Sequence, residues 1–135
     1  MSKEKTVSVI MGTYNGARYI REQLDSILQQ TYPIRELIIQ DDGSTDDTIS
    51  ICEEYARKYP NIIFSRNEQN LGFNQNFKSA AMKATSDFVA ISDQDDVWFP
   101  EKIARQVAAI GDHDLCFSTH LRGADREHTH LVSPQ

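Results

Sequence analysis

Three carboxylates fall within four positions at Asp93, Asp95 and Asp96, with Gln94 between them. They come straight after an apolar run, Phe88-Val89-Ala90-Ile91, so they stand where a buried strand would end. Like charges this close repel, and a proton or a cation has to compensate them. Oxygen-only clusters suit hard divalent cations such as Mg²⁺ or Mn²⁺, which commonly bring a phosphate with them. A solvated acidic loop is the ordinary alternative, because charged side chains are mostly exposed. Position weighs against it, since ligands of open α/β sheets bind at strand ends.

A second acidic group, Asp41-Asp42, ends another apolar run, Glu36-Leu37-Ile38-Ile39-Gln40. It is no calcium loop, which needs alternating acids ahead of its glycine and a closing Glu. It is also no phosphate-accepting aspartate of the signalling type, which expects its acid pair after the first strand. Asp46 and Asp47 suit the first turn of a helix, where the dipole favours negative charge, with Ser44 or Thr45 as its cap. Asp42 is the more telling residue. A carboxylate at a strand end can accept a hydrogen bond from a base N–H or a ribose hydroxyl. Tyr14 offers a flat face on which a nucleobase can stack, or it packs on its own helix. Gly12 and Gly16 make neither a dinucleotide fingerprint nor a phosphate-binding P-loop. His128 and His130 have no zinc spacing with Cys116 or His120 and read as a solvated tail. Trp98 reads as a packing residue that fixes the loop after the acids.

The elements that must position these groups alternate regularly. Val7 to Met11 reads as a first strand, buried on both faces. Ile20, Leu24, Ile27 and Leu28 form one helical stripe ending near Gln30 or Thr31, before Pro33. Glu36 to Gln40 is a second strand, and Ile51, Cys52, Tyr55 and Tyr59 are the face of a second helix closed by Pro60. Ile62 to Phe64 is a short third strand. Phe73, Phe77, Ala80, Ala81 and Ala84 give a third helix its inward face. Phe88 to Ile91 is the fourth strand. Pro100 starts a fourth helix with Ile103, Val107 and Ile110 inward and Gly111 at its end. Asp114 to Ser118 is a fifth strand, and from His120 onward the pattern fades. The expected fold class is α/β, a doubly wound and mainly parallel sheet with helices on both faces. The usual plan puts strand one at the centre, strands two and three to one side and strand four to the other. Residues 12–16, Asp41, Asp42 and residues 93–96 then gather at one sheet edge.

The chain of 135 residues is enough for one domain, and its formal charge of -6 argues against a nucleic-acid or anionic-membrane surface. An acidic site still accepts a nucleotide when a cation bridges it to the phosphates. Cys52 and Cys116 lack CxxC spacing and read as reduced core residues of a cytoplasmic protein. Neither a signal peptide nor a membrane span is legible, which leaves peripheral association at the inner face of the membrane open. A homodimer that covers an exposed sheet edge or apolar patch also stays open.

Four stretches together resemble the motifs of inverting family 2 glycosyltransferases, which have the GT-A fold. They are Val7-Ser8-Val9-Ile10-Met11-Gly12-Thr13-Tyr14-Asn15, Leu37-Ile38-Ile39-Gln40-Asp41-Asp42-Gly43-Ser44-Thr45-Asp46, Asn70-Leu71-Gly72 and Ser92-Asp93-Gln94-Asp95-Asp96. The form Ser-Asp-Gln-Asp-Asp-Val-Trp is similar to a subset that builds bacterial surface polysaccharides, often with rhamnose or a related hexose. The resemblance implies a nucleoside-diphosphate sugar as donor, UDP- or dTDP-linked, a saccharide acceptor and a divalent cation, Mn or Mg. By position it implies Asp95 as metal ligand and Asp93 at the ribose and metal side. It implies Asp42 at the base, with Gly12, Thr13 and Tyr14 lining the same pocket. Residues 1–118 are then expected to form the nucleotide-sugar-binding domain, and residues 119–135 a polar tail. Family members are usually longer, and their later part carries the acceptor site and the general base. The chain is therefore expected to stop before the acceptor half, without its base, since Asp125 or Glu127 would serve only by coincidence. A nucleotide-binding module without transfer is the alternative reading. A sugar nucleotidyltransferase is disfavoured, because only Arg18 and Arg21 lie near the first loop.

Overall fold

A computed structural model describes residues 5–92, 97–110, 115–117 and 130–132. The elements run β1 (Val7–Thr13), α1 (Ile20–Leu28), β2 (Glu36–Asp41), α2 (Thr48–Lys58) and β3 (Ile62–Arg66). They continue with α3 (Phe73–Ala81), β4 (Phe88–Ser92), α4 (Lys102–Ile110), β5 (Leu115–Phe117) and β6 (His130–Val132). The sheet order is β3-β2-β1-β4-β6-β5. The first four strands are parallel, with Gly12 beside Gln40, Thr13 beside Asp41 and Met11 beside Ser92. The expected winding therefore holds, and the chain reverses direction across the sheet between β1 and β4.

Alternation along β1 and β2 sorts the core into two layers. Val7, Val9 and Met11 with Leu37 and Ile39 face α1, α2 and α4, which contribute Ile20, Leu24, Ile27, Ile51, Cys52 and Ile103. Ile10, Ile38 and Val89 face the other way and meet Phe77 and Ala80 of α3 and Ala84, which was read as part of that helix but lies beyond its end. Each fully buried Ile or Leu here is worth roughly 1.5–3 kcal/mol relative to exposure. Ala81, read from the sequence as inward, is exposed. One residue beyond Ala80 lies about 100° further round the helix, off the buried stripe. Between α1 and α2, Arg21 makes a two-pronged ion pair with Glu54, and the Tyr55 hydroxyl donates to Asp25 at 2.8 Å.

β6 arises within the stretch read as a polar tail. It lies antiparallel between β4 and β5, with Val89 opposite Val132 and Leu115 opposite Val132 on its other side. β5, the fifth strand read from the sequence, lies at the edge beyond it. Asp114, Ser118 and Gly111 lie outside the described residues. Glu36 ties the opposite end of the parallel strands. Its Oε2 accepts from the Ser8 hydroxyl at 2.6 Å, the Thr85 amide at 2.8 Å and the Thr85 hydroxyl at 3.0 Å. Burial works against its charge, but these donors prevail and hold the carboxyl below its ordinary range.

Candidate functional site

The C-terminal ends of β1 and β2 open into a cleft of about 290 Å³. Gly12, Thr13, Tyr14 and Asp42 line it from the strand ends. Asn70, Gly72, Asn76 and Phe77 line it from the loop before α3 and from α3 itself. Four of the residues singled out by sequence thus share one cavity. The other two, Asp93 and Asp95, lie outside the described residues, but β4 ends at Ser92, beside Met11 of β1.

Gly12 is required by packing. A Cβ there would stand 2.8 Å from Asn76 Nδ2 and 3.3 Å from the Phe77 ring, so a glycine lets α3 close on the strand. Thr13 is buried, and its hydroxyl donates to Asp41 Oδ1 at 2.7 Å. Asp41 is wholly buried and takes the Ser44 hydroxyl on the same oxygen and the Gly43 and Ser44 amides on Oδ2. A buried carboxylate is tolerable when its lone pairs are filled in this way. Tyr14, by contrast, is about half exposed, at 48%.

Asp42 is 5% exposed and holds the far wall of the cleft together. Its Oδ1 accepts from Asn67 Nδ2 at 2.8 Å and the Leu71 amide at 2.7 Å, and its Oδ2 from the Gly72 amide at 2.9 Å. Asn70 Nδ2 donates to the Asp42 carbonyl at 2.9 Å. The carboxylate therefore shapes the turn that carries Asn70 and Gly72 as well as facing the cavity.

Asn15 was missed as a positioning residue. Its φ of 49° is left-handed, which Asn tolerates better than most residues. In that pose its Oδ1 accepts from the Thr45 amide at 2.8 Å and its own amide donates to Ser44 Oγ at 2.8 Å. Gly16 donates to Thr48 Oγ1 at 2.8 Å, and Ala17 to Asp46 Oδ2 at 3.1 Å. The first two strand-end loops are thus sewn together. Ser44, read as a possible helix cap, is spent on Asp41, and Asp46 does the cap's work by accepting from the Thr48 amide at 2.9 Å. Burial opposes the Asp46 charge, yet the Thr48 and Ala17 donors hold its carboxyl below the ordinary range. Asn67 and Asn76 were also unforeseen, although the run of asparagines from 67 to 76 was the available signal. Asn67 Nδ2 donates to Asn76 Oδ1 at 2.6 Å, and Asn76 Nδ2 to the Gln40 carbonyl at 2.9 Å.

The approach to residues 93–96 is also braced. Buried Gln23 of α1 donates to Ser92 Oγ at 2.9 Å. Beyond the acids, the Trp98 amide donates to Ser26 Oγ at 3.0 Å, and the indole is buried against the α1 and α4 core, as its packing role required. Among the described residues no cluster of three or more His, Cys, Asp or Glu side chains could hold a metal. The Asp93 and Asp95 carboxylates supply hard oxygen donors of the type Mg²⁺ and Mn²⁺ take. Cys52 is wholly buried in the core, and burial pushes its thiol up to about 12, away from the reactive thiolate. No helix among the described residues is long and apolar enough to cross a membrane.

Comparison with known proteins gives a consistent picture. The model for glycosyl transferase family 2 matches residues 8–134. EpsE of Bacillus subtilis is 40% identical over 114 residues, 84% of this chain and 41% of EpsE. RfbG of Shigella flexneri, a dTDP-rhamnosyl transferase, is 36% identical over 118 residues, 82% of this chain and 40% of RfbG. The chain thus spans about two fifths of the length of these relatives. Residues 1–349 of S. aureus TarS, solved in complex with UDP, superpose with a TM-score of 0.76 at 32% identity, over 91% of this chain and 38% of that one.

Proposed function

This chain belongs to glycosyl transferase family 2, and from that premise we propose that its cleft binds the nucleotide of a nucleoside-diphosphate sugar for hexose transfer to a saccharide acceptor. The single observation that carries this reading is the convergence of residues 12–14, Asp42, Asn70, Gly72, Asn76 and Phe77 on one cavity at the strand ends. Tyr14 would present its ring to the base. Asp42 would accept one base N–H, and Gly12 and Thr13 would supply the backbone wall. The neighbouring complex of TarS with UDP and the dTDP-rhamnosyl activity in the name of RfbG support UDP or dTDP as the nucleotide.

Asp93 and Asp95 would hold a divalent cation, Asp95 as ligand and Asp93 between ribose and metal. Such a cation neutralises the charge that develops on a departing diphosphate. The proposed transfer inverts the anomeric centre and serves bacterial surface polysaccharide synthesis. The acceptor hydroxyl attacks the anomeric carbon, the bond to the diphosphate oxygen breaks, and a base takes the hydroxyl proton.

A second reading, nucleotide binding without transfer, has its own support. Among the described residues Asp42 is the single carboxylate lining the cleft, and three donors of its own chain already engage it. It is a poor candidate for the base. Isothermal titration with UDP and dTDP, with and without Mn²⁺, tests the shared claim, and absence of binding under every condition would refute it. Donor hydrolysis and transfer assays then separate an enzyme from a binding unit.

A further inference from the structure

The number of protein donors on Asp42 carries more information than its position. An ionised carboxylate offers two lone-pair positions on each oxygen. Oδ1 already accepts from Asn67 Nδ2 and the Leu71 amide, so it is full. Oδ2 accepts only from the Gly72 amide among the described residues, which leaves one position.

That count discriminates among nucleobases. Uracil and thymine present one ring N–H between two carbonyl oxygens. Guanine presents a ring N–H beside an exocyclic amino group, and a carboxylate takes both only with a position open on each oxygen. Cytosine and adenine present an unprotonated ring nitrogen at the corresponding place, and that lone pair would face a negative charge. Asn70, on the cleft wall, spends one amide hydrogen on the Asp42 carbonyl, and its second suits a carbonyl flanking a ring N–H.

We propose that Asn67, which does not line the cleft, sets its base selectivity by filling Asp42 Oδ1, so that the site takes uracil or thymine and rejects guanine. The proposal rests on the nucleotide reading above and adds a positioning residue to it. The direction of the Asn67 amide is fixed from both ends, since Asp42 can only accept from it. The Lys83 ammonium can only donate, and it donates to Gln40 Oε1 at 2.7 Å. Gln40 Nε2 must then point at Asn67, and it donates to Asn67 Oδ1 at 2.6 Å. The Asn67 Nδ2 group is left to face Asp42 and Asn76. A lysine that only donates and a carboxylate that only accepts thus impose the same polarity on the amides between them.

The test is isothermal titration of UDP, dTDP, CDP and GDP, in MnCl₂, against the unaltered chain, Asn67→Ala and Asn67→Ser. For the unaltered chain, UDP and dTDP are expected to bind about tenfold or more tightly than GDP and CDP. In Asn67→Ala the UDP-to-GDP ratio should fall by about tenfold, because Oδ1 becomes free for the second guanine donor. Asn67→Ser, whose side chain is too short to reach Oδ1, should shift the ratio the same way and serves if Asn67→Ala does not fold. A purely structural role would weaken all four nucleotides by one factor and leave the ratio unmoved, which would overturn the proposal. Equal binding of GDP and UDP by the unaltered chain would overturn it as well. Failure of every nucleotide to bind the unaltered chain would instead sink the nucleotide reading on which it stands.

Discussion

The Thr13 hydroxyl lies 2.7 Å from Asp41 Oδ1, and this bond joins the ends of two neighbouring strands beneath the cleft that Thr13 lines. Three further donors, from Gly43 and Ser44, converge on the same buried carboxylate. Removing the hydroxyl with Thr13→Val should cost roughly 1 kcal/mol of stability, while Asp41→Ala strands two backbone amides and should cost about 3 kcal/mol or more. Asp41→Asn should fall between them, because the two hydroxyls can turn to accept from its amide. Urea unfolding of the three variants checks the order, and equal losses would show that the carboxylate is not the common anchor.

Gly12→Ala tests whether the cleft depends on close approach of α3. The added methyl would meet Asn76 Nδ2 at 2.8 Å, and Asn76 is itself bonded to Asn67 and to the Gln40 carbonyl. Such overpacking typically costs 1–3 kcal/mol, and about that loss is expected in urea unfolding. Nucleotide affinity should fall with it, since the displaced Asn76 and Phe77 line the cavity. Unchanged stability would mean that α3 yields freely.

The sheet was legible because its apolar runs recur between helical stripes, and short-range winding then dictates which strands are neighbours. The strand order β3-β2-β1-β4 and the meeting of Gly12, Thr13, Tyr14 and Asp42 both follow from that rule. β6 was not legible. Three residues in a polar stretch become a strand through pairing with β4 and β5, a tertiary cause that leaves no local period. The amide chain from Lys83 to Asp42 was equally hidden, because its members sit in the turn after α3, on a strand and in loops. Sequence could place Asp42 at the strand end but could not count the donors its own chain would bring.

Tyr14 is the exposed aromatic of the cleft, and Tyr14→Ala should weaken nucleotide binding by about 1–3 kcal/mol, the usual value of a base stacked on an aromatic ring. Tyr14→Phe keeps the flat face and should bind nearly as well. A large loss in the phenylalanine variant would move the contribution from the ring to the hydroxyl. Titration of both variants with UDP distinguishes these outcomes.

Glu36 predicts an acid limb in the stability profile. Its carboxyl titrates lower in the folded chain than in the unfolded one, so the unfolded state binds the proton first as pH falls. The resulting stabilisation is fully present above the ordinary carboxyl value. It fades as pH drops through the window down to the lowered folded value and is gone below it. Glu36→Gln keeps one acceptor for Ser8 and Thr85 but cannot ionise. The variant should therefore be less stable than the parent at neutral pH, with the gap narrowing below about pH 4. Urea midpoints at several pH values report this, and a constant gap would rule it out.

The proposed role of Asp93 and Asp95 separates the diphosphate from the rest of the nucleotide. If these carboxylates hold a divalent cation, its work is to offset phosphate charge, which a nucleoside does not carry. Asp95→Asn should then lower the affinity for UDP in MnCl₂ by about tenfold or more, the scale of losing a charged ligand bond. Affinity for uridine should stay within about twofold, because stacking and base hydrogen bonding owe nothing to the metal. Asp93→Asn should weaken UDP and, through the ribose, uridine too. Adding EDTA to the unaltered chain should reproduce the Asp95→Asn pattern. Parallel losses of UDP and uridine in Asp95→Asn would place that carboxylate at the nucleoside instead, and an EDTA-insensitive affinity for UDP would remove the cation from the binding step altogether.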